Sequence, residues 1–263
     1  MCPNCRAFIT TNDRTCPYCN QPIGPRAIDV RQPGEILGGL IPHAHFTTIL
    51  ILLINFGLFL VQTLGGNFAF AEVGAKYGPA ILQGHEYWRL VTAGFLHGGW
   101  MHILMNSWVL YDLGAQVEQV FGTPRFLSIY FVGSVLGFMF STYMNPQALS
   151  VGSSAGIMGL IGAMIAFGVA NRSSIGRQIR NFYMRYVVYI LVFGLIPVFR
   201  VDNWAHIGGL AGGFAVAWVS GTPIRSTAAR ESIWRVVAAL CVLVTIWSFF
   251  DAYRHLTPPD QLR

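Results

Sequence analysis

Phe46-Thr-Thr-Ile-Leu-Ile-Leu-Leu-Ile-Asn-Phe-Gly-Leu-Phe-Leu-Val-Gln-Thr-Leu64 runs for 19 residues without a charge. That is the length and polarity of a helix crossing a bilayer. The rest of the chain agrees with it. Of 263 residues, 54% are hydrophobic and only 11% charged, with a mean hydropathy of +0.51, whereas soluble chains carry roughly a quarter charged residues. A soluble globule of this size could not take so many apolar side chains inside, and disordered chains are polar and charged. The bilayer is therefore the solvent. The net charge of +6 is spread over many short segments, which points to membrane topology before nucleic acid.

C-terminal to this span a connection of about 65–100 is rich in aromatics, including Tyr77, Trp88, Phe95 and Trp100. Six further apolar stretches follow: Met101–Phe121, Phe126–Met144, Ala155–Ala170, Phe182–Phe199, Trp204–Val219 and Ile233–Phe250. The expected fold is an all-α polytopic membrane protein with seven spans. If the N-terminus lies inside, 12 of the 17 basic residues, among them Arg125, Arg172, Arg177, Arg180 and Arg235, fall on inside segments. The remaining five, Lys76, Arg89, Arg200, Arg254 and Arg263, fall outside. The bias predicts an N-in, C-out arrangement. Glycines at three- and four-residue spacing in the fourth span (Gly156, Gly159, Gly162) and the sixth (Gly208, Gly209, Gly212, Gly213) let two helices approach closely in lipid.

N-terminal to the first span the chain changes character. Residues 1–45 are polar and proline-rich, and four of the five cysteines lie in the first 19 positions. The start Met1-Cys2-Pro3-Asn4-Cys5 has no basic and apolar leader regions, so no cleavable signal peptide is expected. Cys2-Pro-Asn-Cys5, ten residues, then Cys16-Pro-Tyr-Cys19 is a CxxC…CxxC arrangement, which suits four thiolates around a structural tetrahedral zinc ion. Two disulfides or a mononuclear iron site are the alternatives, and disulfides fit poorly with a reducing cytoplasm. Arg6 and Arg14 are too few to argue for nucleic acid.

Polar groups inside apolar spans are costly and point to function. Gly152-Ser153-Ser154-Ala155-Gly156 is a G-x-S-x-G string, which in hydrolases exposes the serine on a tight turn. Small residues at a helix start also satisfy it. His206, in Trp204-Ala-His206-Ile-Gly-Gly209, is by itself as compatible with a packed polar residue as with a catalyst. His102 and Asn106 lie four apart on one helical face. Under the N-in topology all these residues fall at the outer ends of three separate spans. Chemistry fits this level: a serine needs a base, and a neutral imidazole supplies one. The oxyanion needs donors, and His102 and Asn106 offer N–H groups. Asp202, four residues before His206, suits a helix N-cap better than a third catalytic carboxylate, so a dyad is expected.

The serine string and Ala205-His206-Ile-Gly-Gly-Leu-Ala-Gly-Gly213 resemble the serine and histidine motifs of the rhomboid intramembrane serine proteases. His102-Ile-Leu-Met-Asn106 is similar to that family's HxxxN, and Trp88-Arg89 and Glu118-Gln-Val-Phe-Gly122 match in order as well. The resemblance covers about residues 85–215. It implies Ser154 as nucleophile, His206 as general base, His102 and Asn106 as oxyanion stabilisers, and transmembrane proteins as substrates. It also implies that 65–100 dips into the membrane with Trp88 and Arg89 as interface anchors. Some members carry an aromatic residue four positions after the serine, stacked on the histidine; here that position is Met158.

The expected organisation is a zinc-ribbon-like segment at 1–24, a linker at 25–45, a rhomboid-like six-helix core at 46–221, and a seventh helix with tail at 222–263. The chain is expected in a bacterial inner membrane with its N-terminus cytoplasmic, needing no cofactor for catalysis. An inactive rhomboid-like protein that binds membrane clients is the alternative, followed by a transporter, which would place charged groups near the midplane of facing helices. A metalloprotease is disfavoured because His85-Glu-Tyr-Trp-Arg89 lacks the second histidine of HExxH.

Overall fold

The computed structural model of the chain describes residues 4–5, 15–22, 35–36, 41–42, 46–64 and 68–256. Its contacts divide into two units, Met1–His43 and Ala44–Arg263. In the first, Thr15 and Pro22 form an antiparallel bridge around a turn at Cys16. Two short strands, β1 (Glu35–Ile36) and β2 (Ile41–Pro42), pair Glu35 with Pro42 and Ile36 with Ile41.

The second unit is helical. It comprises α1 (Phe46–Leu64), three short helices α2 (Phe68–Gly74), α3 (Gly78–Leu82) and α4 (Arg89–Thr92), and then α5 (Trp100–Met144), α6 (Ser154–Ala170), α7 (Ser174–Phe193), α8 (Asn203–Ser220) and α9 (Ala228–Leu256). By length and composition α1, α5 and α9 can each cross a membrane, and α6 is apolar but shorter. Every expected span has a helical segment among the described residues, because α5 is two helices joined at a break. At Gly122 the backbone turns to φ 75°, ψ 157° and Pro124 follows. Glycine tolerates that left-handed φ, and proline suits the first turn of the second half.

The burial pattern is inverted relative to a soluble protein. The buried face of α1 carries Thr47, Thr48, Asn55 and Gln62, while Leu50, Leu53, Phe56 and Val61 are exposed. A helix whose polar residues face its neighbours and whose apolar residues face outward belongs in lipid. The chain is an integral, multi-pass membrane protein. At its centre α6 packs against α5, α7 and α8, with Leu160, Ile161 and Met164 in a core shared with Leu110, Phe121 and Phe126 of α5.

Three elements differ from the sequence expectation. Helix α7 starts at Ser174, well before the expected Phe182, and ends at Phe193 rather than Phe199. Its basic first half is helical because Ser173 caps it, accepting from the Gly176 N–H at 3.1 Å. Its end is set by Asn203, whose side-chain amide donates to Leu191 O at 3.0 Å. Helix α9, at 29 residues, is about 44 Å long, so it outruns the ~30 Å hydrocarbon layer. The 65–100 connection also contains α2, α3 and α4, each too short to leave a periodic signal.

Candidate active site

Helix α6 begins at Ser154, so this residue sits on the first turn, where backbone N–H groups have no intrahelical partner. The segment leading to it is held from the 65–100 connection. Lys76 and Ser150 exchange backbone hydrogen bonds at 2.9 and 3.1 Å, and Gly152 N donates to Ala93 O at 2.9 Å. The fully buried Lys76 ammonium donates to the carbonyls of Asn145 at 2.7 Å and Ala148 at 3.1 Å.

Gly152 has φ +126°, and a Cβ there would lie 2.7 Å from Cε1 and Nε2 of His102 and 3.3 Å from Asn106 Nδ2. The His102 ring and the Asn106 amide therefore lie directly against the backbone two residues before Ser154. The His102 tautomer follows from its other nitrogen. Nδ1 accepts from the Gly98 N–H at 3.3 Å, so a neutral ring carries its proton on Nε2, the nitrogen nearest Gly152. Asn106 is buried, and its Nδ2 makes no hydrogen bond among the described residues. Two donors thus converge beside a helix N-terminus, a geometry that favours negative charge.

His206 is the fourth residue of α8 and is buried. Ala155 and Ala205, the chain neighbours of Ser154 and His206, pack together with Ala93 and Phe138. A Cβ on Gly137 would meet Ala205 O at 2.6 Å and Ala155 Cβ at 2.9 Å, and one on Gly209 would collide with Ala155 O. Close backbone approach, permitted by glycine, brings the starts of α6 and α8 to one level. No hydrogen bond joins Ser154 to His206 among the described residues, and His206 Nδ1 has no partner. Asp202 is used elsewhere: its carboxylate accepts from Ala205 N at 3.1 Å, capping α8, and from Ser141 Oγ at 2.5 Å. Met158 is buried in the main core.

The structure corrects one expectation. Trp88 and Arg89 are buried, not exposed anchors at a membrane interface. Arg89 binds Glu86 at 2.5 Å and the carbonyls of Glu72 and Ala75 at 2.5 and 2.8 Å. The Trp88 indole donates to Val73 O at 3.2 Å and stacks against His255 of α9, 4.1 Å between ring centroids. A guanidinium offers several donors, and here one nitrogen of the fork satisfies two carbonyls that a tightly turned loop leaves without helical partners. The sequence reading also passed over His97 and Ser153. His97 Nε2 lies 3.4 Å from Ser153 Oγ, and its ring packs edge-on to His102 with centroids 5.3 Å apart.

In the N-terminal unit the sulfurs of Cys5, Cys16 and Cys19 all lie within 4.8 Å of one another, so these three residues could hold a metal ion. Cys2 lies outside the described residues. The Cys5–Cys16 sulfur separation of 3.6 Å is far beyond the ~2.05 Å of a disulfide. The turn is shaped by Cys16 N donating to Gln21 O and Asn20 N donating to Cys16 O, both at 2.9 Å. A backbone hydrogen bond with Gln21 holds the Cys19 thiol below its ordinary pKa, with a smaller opposing effect of burial and further lowering by Cys5, Asn4 and Cys16.

Residues 84–223, more than half of the chain, match the Rhomboid domain family. The chain is 37% identical over 181 residues to "Rhomboid protease GluP" of Bacillus subtilis (strain 168), covering 68% of this chain and 35% of that protein. It is 34% identical over 150 residues to "RHOMBOID-like protein 6, mitochondrial" of Arabidopsis thaliana, covering 56% and 48%. It is 31% identical over 140 residues to "Inactive RHOMBOID-like protein 8" of the same plant, covering 52% and 39%. The chain thus spans less than half the length of each of these relatives. The matched stretch contains α4 to α8, with the Gly152–Ser154 turn, the His102–Asn106 face and His206 inside it, and the chain belongs to the rhomboid family.

Proposed function

We propose that the chain is an intramembrane serine endopeptidase that cuts transmembrane proteins through a Ser154–His206 dyad and an acyl-enzyme. The observation that carries this reading is Gly152, whose backbone brings His102 Nε2 and Asn106 Nδ2 against the turn from which Ser154 starts α6. His206 accepts the Ser154 proton as Oγ attacks the scissile carbonyl carbon. The resulting oxyanion is held by the His102 and Asn106 N–H groups and by the free amides of the α6 N-terminus. When the C–N bond breaks, His206 returns its proton to the leaving amine. Water then attacks the ester carbon as His206 takes the water's proton; the C–O bond to Ser154 breaks, His206 passes that proton to Oγ, and the new carboxylic acid leaves. Commitment of Asp202 to the α8 cap and to Ser141 supports a dyad over a triad.

The basic-residue bias supports an N-in orientation in a bacterial inner membrane, which puts the starts of α6 and α8 near the outer face, where water is available. The Cys5, Cys16 and Cys19 cluster supports a structural zinc site completed by Cys2, because three soft thiolates suit zinc and oxygen-seeking metals do not. The second reading is a non-cutting, client-binding protein, because one relative of the chain is named inactive.

Cleavage of an artificial single-span substrate in proteoliposomes tests the proposal. Wild type should cut it, while Ser154→Ala and His206→Ala each lose at least about a thousandfold in rate. Equal cutting by wild type and Ser154→Ala would overturn the mechanism. Client binding by a wild type that neither cuts nor reacts with a serine-directed fluorophosphonate would establish the inactive reading instead.

A further inference from the structure

We infer that His97 is a positioning residue for the Ser154 site: it holds the Ser153 side chain while its own segment sets the direction of His102. The inference rests on the reading of Ser154 as nucleophile and goes beyond it.

Three contacts of His97 and one of Gly98 carry the inference. His97 is buried, in the turn between α4 and α5. Its Nε2 is 3.4 Å from Ser153 Oγ, so the two share a hydrogen bond whose donor follows the imidazole tautomer. Ser153 is the residue immediately before the proposed nucleophile, and its carbonyl accepts from Ile157 N at 2.9 Å, closing the first turn of α6. Edge-on packing against His102, at 5.3 Å between centroids, fixes the plane of that ring. The next amide along the chain, Gly98 N–H, donates to His102 Nδ1 at 3.3 Å and thereby leaves the proton on Nε2. The segment is anchored in turn by α1, because Gln62 Oε1 accepts from His97 N at 3.4 Å.

The dipeptide His97-Gly98 therefore touches both halves of the proposed site, the serine turn and the oxyanion donor, with the His97 side chain itself buried. A serine beside a nucleophile is free to rotate unless a partner fixes it, and here Ser153 Oγ bonds to His97 beside the buried Tyr130 hydroxyl. Loss of His97 lets the Gly152–Ser154 turn and the His102 ring drift apart. Small displacements of reacting groups reduce turnover steeply, while substrate binding along the rest of its helix is unaffected.

The test is a double-mutant cycle on the full chain in proteoliposomes with a fluorophore-quencher single-span substrate. His97→Phe keeps an aromatic edge for His102 but removes the hydrogen bond, and Ser153→Ala removes its other partner. Each should lower kcat about tenfold with KM within about twofold, and the double variant should be no slower than the slower single one. His97→Gln, whose amide nitrogen reaches close to the imidazole Nε2 position, should recover most of the rate, which a purely structural role would not predict. Unchanged kcat in His97→Phe or Ser153→Ala, or single losses that multiply in the double variant, overturns the inference. So does a loss that follows the folded fraction measured by gel filtration and thermal unfolding. If His97→Phe does not fold, the kcat of Ser153→Ala and of His97→Gln decides between the same outcomes. Activity in the wild type that survives Ser154→Ala sinks the underlying mechanism instead, so the two failures are distinguishable.

Discussion

At Gly152 the backbone takes φ +126° with the His102 ring and the Asn106 amide immediately beside it, so any side chain meets two obstacles. The left-handed conformation costs an L residue about 1–3 kcal/mol, and a Cβ at 2.7 Å from the imidazole forces His102 to move. Gly152→Ala is therefore expected to lower proteolysis at least a hundredfold and the thermal midpoint by a few degrees, since 1 kcal/mol shifts a protein of this size by about 2–4 °C. A variant that cuts normally would show that His102 and Asn106 do not act where they lie. Ser154, His206, His102 and Asn106 stand out in the sequence as candidates because each sits in a local string with its own spacing, and the structure brings His102 and Asn106 against the Gly152 turn. The contact between His97 and Ser153 was not legible there. The two residues are 56 positions apart, His97 lies on no helix, and neither periodicity nor a motif relates a turn residue to a distant hydroxyl.

The long helices were readable from apolar runs, but the way they are fastened was not. Helix α9 packs on α5 and on the short helices α2 and α4, and both of its ends carry specific attachments. Near its C-terminus His255 stacks on Trp88, and Phe249 meets Phe95 edge-on at 5.5 Å. Near its start Arg125, its side chain fully buried, binds both carboxylate oxygens of Glu231 at 2.9 and 2.7 Å and Ser226 Oγ at 3.1 Å. In the sequence Arg125 counted only as one of the basic residues that set topology, because its partner lies 106 residues away. Glu231→Gln leaves a buried guanidinium without its counter-charge and is expected to lower the thermal midpoint, with the effect softened because Glu231 itself keeps 25% of its side chain in solvent. Replacing both partners, as Arg125→Met with Glu231→Leu, removes charge and penalty together and should cost less than the single change. Thermal unfolding in detergent distinguishes the two cases; a double variant less stable than Glu231→Gln would contradict the assignment of Arg125 as a charge held by its pair.

Across the whole chain the two units are stabilised by different means. In Ala44–Arg263 the bilayer solvates the apolar outer faces, and the polar side chains gathered inside, such as Glu118 with Thr47 at 2.5 Å and Thr123 at 2.7 Å, replace water with one another. Met1–His43 is polar and proline-rich in sequence. Its described part buries little beyond Cys16, which is fully enclosed, and a segment that short lacks the apolar area to fold alone. Coordination of a metal by the thiolates of Cys5, Cys16 and Cys19, as proposed, would supply the missing free energy. If the proposed zinc site is correct, purified protein carries about one zinc per chain, and Cys16→Ser should remove nearly all of it. All the residues assigned to catalysis belong to the other unit, so proteolysis by the same variant should stay within about twofold of wild type. Metal analysis and the single-span cleavage assay on one preparation read both outcomes. Zinc content unaffected by Cys16→Ser removes the cluster from consideration as the binding site. Loss of zinc accompanied by a tenfold fall in cleavage would mean that the metal-bound segment acts on the membrane core and is not an independent attachment to it.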